Sequence, residues 1–152
     1  MYKTILVPHA GTQAGDTALK HAIHIAKSSS AKIVLLHVVE QIQHPVTFAL
    51  SASERKNLLE AIKDANEAIK QEMEVKMKNK KALCKKSNLE AENMVVVGFP
   101  AEEILKVVKD KGVDLIVMAK RRKLSGIKRI FTLGSVSRKI VEHSPCPVLI
   151  LE

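Results

Sequence analysis

Aromatic side chains are scarce in this sequence, with three Phe, one Tyr and no Trp among 152 residues. Proteins that hold single-stranded nucleic acid stack bases on aromatic platforms set in a basic groove, so nucleic acid is not the expected partner here. Cysteine is scarce too. Cys84 and Cys146 are too few and too isolated for a disulfide framework or a zinc site, which points to inert thiols in a reducing, cytoplasmic compartment. No apolar run approaches the roughly 18 residues that a membrane span needs, and the opening MYKTILVP lacks the apolar core of a secretion signal. No membrane association is expected. The chain also has no GxxxxGK[ST] loop, no HExxH, no paired CxxC and no GxSxG, and Gly11 with Gly15 does not make a GxGxxG fingerprint. P-loop hydrolase, zinc protease, serine hydrolase and dinucleotide-binding readings therefore lack their chemistry.

What is abundant is positive charge: 25 Lys and Arg against 16 Asp and Glu, a formal net charge of +9. Much of the excess lies in two stretches. Residues 76–86, KMKNKKALCKK, read as a solvated lysine-rich surface, the lysines beyond residue 80 being the frayed end of a helix. Residues 120–129 hold six Lys or Arg and no acid, and they occupy a position that the order of elements makes special.

The length suits one domain, residues 1–152, able to bury about 70% of its unfolded surface without metal or disulfide help. Residues 4–8 are a brief apolar run stopped by Pro8, and Ala18, Ala22, Ile25 and Ala26 then recur at helical spacing, widened by Leu19 and Ile23, with Asp16 near the helix start. Residues 32–39, KIVLLHVV, form a second apolar run, so strand, helix and strand make a right-handed βαβ unit. Residues 40–50, with Pro45, read as a loop that partly covers the strand end. Residues 53–80 read as a long helix, capped by Ser53, with Leu58, Ile62, Ala65, Ile69, Met73 and Met77 on one face. MVVVG at 94–98 is a third strand, and Pro100 with Glu102 and Glu103 opens a helix whose inner face is Ile104, Leu105, Val107 and Val108. Residues 115–118, LIVM, make a fourth strand, residues 135–143 a last helix and residues 148–151, VLIL, a fifth strand. The fold expected is α/β: an open, mostly parallel, Rossmann-like sheet of five strands with helices on both faces.

In such sheets ligands bind beyond the carboxyl ends of the strands, where strand order reverses. Residues 9–12, residues 38–40 and the basic loop after the fourth strand should meet there. Gly134, Ser135, Val136 and Ser137 place a glycine and two hydroxyls at a helix start, whose free amides suit an anion. A phosphate-bearing ligand is the expected occupant. Ser125-Gly126 within the loop reads as a turn.

ILVP, IVLLHVVE, VVVGFPAEEIL, GVDLIVMA and LGSVSRKIVEHSPCPVLIL resemble, over nearly the whole chain, the universal stress protein family. The resemblance implies strand order 3-2-1-4-5, a homodimer and, in one branch, an adenine nucleotide in the crevice. The motif of that branch is altered here: Ala119 and Arg122 stand where two glycines would, the loop from Arg122 to Gly134 is two residues longer, and Ala10 replaces an aspartate. Gly134, Ser135 and Ser137 remain, and Val38 and Met118 match positions flanking adenine. A residue forced into positive φ in place of glycine costs about 1 to 2 kcal/mol, enough to reroute a loop. Lys120, Arg121, Arg122 and Lys123 offer charge in place of amides, and Arg grips phosphate with paired hydrogen bonds.

The expected ligand is thus AMP or ATP, with or without Mg²⁺, held by Pro8, His9, Ala10, Val38, Met118, Ala119, Lys120, Arg121, Arg122 and the 134–137 stretch. The rival reading is a ligand-free dimeric interaction module whose basic loop contacts an acidic partner or nucleic acid. An enzyme is not expected, because phosphoryl transfer asks for a metal-binding carboxylate and a positioned nucleophile, and the cleft stretches offer Glu40 alone. His37 reads as a satisfied core histidine and His9 as a turn residue or weak catalytic candidate. The terminal strand Val148–Leu151 has no following element over its outer edge, and pairing with a second copy would close it.

Overall fold

Short continuous apolar runs alternate with helically spaced ones, and the chain folds accordingly. The computed structural model describes residues 1–41, 50–120 and 133–151. Strands β1 (Thr4–Pro8), β2 (Lys32–Glu40), β3 (Ala91–Gly98), β4 (Leu115–Ala119) and β5 (Val148–Leu151) form one parallel sheet in the order β3-β2-β1-β4-β5. Helices α1 (Gln13–Ser29), α2 (Ala52–Lys86), α3 (Pro100–Asp110) and α4 (Ser135–His143) connect them. The expected α/β architecture and strand order are both present.

Successive side chains on a strand face opposite ways, and this splits the core in two. Ile5, Val7, Ile33, Leu35, Leu115 and Val117 pack against Ala18, Ala22 and Ala26 of α1 and Met73, Met77 and Cys84 of α2. Leu6, Val34, Leu36, Ile116 and Met118 face the other way, onto Ile104, Val107 and Val108 of α3 and Ile140 of α4. Burial on both faces explains why these strands read as unbroken apolar runs. Alanines on α1 leave its backbone room to lie close to the sheet.

Local signals set the helix ends. Thr12 caps α1, its hydroxyl accepting from the Gly15 N–H at 3.3 Å, and Ser30 in the left-handed region (φ 54°) ends it. Ser51, not Ser53, caps α2, in a reciprocal capping box with Glu54. That helix continues through the lysine-rich stretch to Lys86, because no glycine or proline interrupts it and Lys85 and Lys86 favour the negative end of its dipole. Its expected apolar face is buried only in the second half: Met73, Met77 and Cys84 are buried, whereas Leu58 and Ile69 are exposed. Strand β3 starts three residues earlier than the apolar run, since pairing of Ala91, Glu92 and Asn93 with β2 and the bridge of Glu92 to Lys32 (3.2 Å) hold its polar start in the sheet.

Candidate functional site

Strand order reverses between β1 and β4, and the helices that follow them, α1 and α4, pack on opposite faces of the sheet, which marks a crevice at the carboxyl edge. Strand lengths deepen it. Pro8, the end of β1, pairs with Leu36, but β2 runs on to Glu40. These four further residues make a wall roughly 13 Å tall at about 3.3 Å per residue. On the other side β4 pairing continues past Ala119, where the Lys120 N–H donates to the Leu151 carbonyl at 2.7 Å.

Val38, Met118 and Val136 pack on the same apolar cluster, on the α3 and α4 face of the sheet. Met118 is buried, Val38 and Val136 half-buried. Gly134 is the N-cap of α4 and has no side chain to bond the first-turn amides. Its φ is −62°, and a Cβ there would meet nothing within 4 Å among the described residues. Among the described residues, neither backbone conformation nor packing therefore asks for glycine at this helix start. Ser135 is exposed and Ser137 buried. Ala119 lies in regular strand paired with Leu151, and the only non-glycine residues with positive φ among those described are Ser30 and Asn88. The lost glycine at Ala119 therefore costs no backbone strain. Ala10 is exposed at the crevice mouth. Arg121, Arg122, Lys123 and the Ser125-Gly126 turn lie outside the described residues, as does most of the 40–50 loop.

His9 behaves differently from its expected role. Its backbone N–H extends the ladder to the Leu36 carbonyl (2.8 Å), but its side chain is fully buried on the α1 face. Nδ1 accepts from the Gly11 N–H at 2.9 Å, and Nε2 donates to Asp16 Oδ1 at 3.0 Å. Asp16 is in turn bridged by Lys80 of α2 at 2.6 Å. Burial lowers the His9 pKa below its ordinary value and outweighs the Asp16 carboxylate, so the ring is a neutral hydrogen-bonding post and not a cation. Burial would raise Asp16, yet hydrogen bonds from Lys80 and His9 hold its carboxyl below the ordinary range. His37 is half-buried, and its Nδ1 donates to the His9 carbonyl at 2.7 Å. Both imidazoles thus brace the β1 turn. The linkage to Lys80 leaves no mark in the sequence, where that residue belongs to a lysine-rich stretch that reads as solvated surface.

The described residues contain no group of three or more His, Cys, Asp or Glu placed to hold a metal ion. No described helix is long and apolar enough to cross a membrane.

The family model for the universal stress protein family matches residues 1–152. Universal stress protein MJ0577 of Methanocaldococcus jannaschii is 32% identical over 157 residues, covering 100% of this chain and 96% of that protein. Its solved structure superposes with a TM-score of 0.80, covering 99% of this chain and 96% of that one. The same fold recurs in a universal stress protein in complex with cAMP (TM-score 0.68, 20% identity, 99% and 97% covered). It recurs again in an Arabidopsis thaliana family protein with AMP bound (TM-score 0.61, 19% identity, 98% and 90% covered).

Proposed function

Because the chain belongs to the universal stress protein family, we propose that it is a stress-response binding module whose crevice between β1 and β4 takes an adenine nucleotide. The observation that carries this reading is the start of α4. A helix N-terminus that no described side chain caps begins at a glycine that the chain's own described atoms do not require, beside the Ser135 hydroxyl. A phosphate approaching closely there would supply the missing reason. Val38 and Met118, on one face at the two walls, provide an apolar seat for a base. Likeness to proteins bound to cAMP and AMP supports the ligand class.

Lys120, Arg121 and Arg122 follow β4 in the sequence and carry charge suited to a phosphate chain. Pro8, His9 and Ala10 contribute the β1 turn, whose course the buried His9 ring and Gly11 N–H maintain. Ala10 offers no carboxylate to a divalent cation, so the described donor set does not fit a protein-held Mg²⁺; any such ion belongs to the nucleotide. AMP satisfies this site as well as ATP. Binding proceeds without catalysis in this reading, since Glu40 is the only carboxylate of the wall and His9 is sealed away. The outer edge of β5 pairs with that of a second copy, the homodimer contact of this reading.

Thermal unfolding with AMP, ATP and inorganic phosphate tests the proposal. Stabilisation by either nucleotide well beyond that by phosphate at equal concentration is expected. Equal shifts would favour the rival basic-loop interaction module.

A further inference from the structure

At 35 residues α2 is roughly 52 Å long, with 1.5 Å of rise per residue. All three of its buried residues lie at or beyond Met73. Residues 52–72 therefore contribute no fully buried side chain, and much of their apolar surface stays open: Leu58 is 39%, Leu59 48% and Ile69 45% exposed, with Ile62 half-buried between them. The face is a direct continuation of the stripe that buries Met73 and Met77, stepping Leu58, Ile62, Ala65, Ile69 at intervals of four, three and four.

The charge pattern says what such a face fits. With Leu58 at heptad position d and Ile62 at a, the charged residues between 58 and 69 are Glu60, Lys63, Asp64 and Glu67. They fall at f, b, c and f, so every a, d, e and g position in that span is uncharged. That segregation marks a helix pairing with a helix. The helix is also complementary to itself in reverse. With a two-fold axis between Lys63 and Asp64, Leu58 lies opposite Ile69 and Ile62 opposite Ala65, large against small. Ala61 and Ala68 line one flank and let the backbones approach. At both ends Arg55 falls opposite Glu72, a positive charge against a negative one. Glu72 is an anion, its carboxyl held below the ordinary range by Lys76.

We propose that residues 55–72 of α2 form an antiparallel helix pair with the same residues of a second copy of this chain. The contact is isologous, and the reversed pairing satisfies each layer twice. Helix α2 packs over β2 and β3, whereas β5 is the opposite edge of the sheet. Pairing through α2 is therefore compatible with β5 pairing and independent of nucleotide.

The test is the mass of the full chain in solution, by sedimentation equilibrium across a wide concentration range. Ile62→Glu sets a carboxylate in a central layer and should halve the limiting mass while circular dichroism stays unchanged. Arg55→Glu or Glu72→Arg alone should each weaken association by about tenfold, since each reverses two symmetry-related contacts. The double variant should restore it. Should Ile62→Glu perturb folding, mixed Ile62→Cys and Ala65→Cys chains in a Cys146→Ser background give the same answer, cross-linking to each other faster than either does to itself. A mass insensitive to these substitutions, no rescue by the double reversal, or no preference in cross-linking would overturn the pairing.

Discussion

The His9 imidazole rests on the backbone of Gly15, so close that a Cβ at that position would stand 2.9 Å from Cε1. The ring cannot swing aside freely, because Gly11 and Asp16 hold its two nitrogens. Gly15→Ala should therefore destabilise the chain by about 1 to 3 kcal/mol despite the better helix propensity of alanine. Urea unfolding measures this. The penalty should shrink in a His9→Ala background, where the clash is gone; an equal penalty in both backgrounds would place the strain elsewhere.

The same ring predicts an acid dependence. The folded state holds His9 below its ordinary pKa, mainly by burial, so the unfolded chain takes up this proton at a higher pH than the folded one. Stability from this residue is then intact above about pH 6.5 and falls as pH drops from there toward the folded pKa, by up to about 1.4 kcal/mol per pH unit. Protonation of Nδ1 would also eject the Gly11 N–H. His9→Asn should flatten the stability profile over that window in pH-resolved urea denaturation. An unchanged profile would mean that His9 protonates as easily folded as unfolded.

Closure of the sheet edge yields a third expectation. Leu149 sits in β5 opposite Val117, and β5 pairs only with β4 among the described residues. The carbonyls of Pro147 and Leu151 face β4, so alternation turns the backbone groups of Leu149 inward as well and those of Val148 and Ile150 outward. Ile150→Pro removes an outward donor and should release monomers or cause aggregation, read by light scattering. Met73→Lys would not serve as a neutral control, because Met73 is 7% exposed and belongs to the core. Glu60→Lys, on the outer face of α2, is the better one.

The fold was legible because parallel strands buried on both faces leave continuous apolar runs, and LIVM at β4 and VLIL at β5 could be nothing else at their lengths. Where β3 starts was not, since Glu92 and Asn93 join the sheet through backbone pairing that leaves no apolar trace. The end of α2 was misjudged for a related reason: a run of lysines signals solvation but does not oppose helix. Within the site, Gly134 and Ser135 were readable from the helix-start pattern. The inward turn of His9 was not, because it depends on Gly15 and Asp16 across the α1 turn and on Lys80 far along the chain.

Charge in the basic stretch that follows β4 in the sequence is the next quantity to vary. Replacing Arg121 and Arg122 together by Ala should weaken AMP and ATP binding by about tenfold or more, given roughly 1.5 to 3 kcal/mol for a charge-assisted hydrogen bond. Ser135→Ala should cost less, about 1 kcal/mol, because the helix amides still donate. Calorimetric affinities measure both, and an unchanged affinity in the arginine variant would remove the loop from the site.

Titration calorimetry of AMP, ATP and inorganic phosphate into the unmodified chain tests the central claim most directly. The account predicts saturable binding of nucleotide at one site per chain, competitive between AMP and ATP, with phosphate alone much weaker. Heats for the nucleotides no greater than those for phosphate would contradict it.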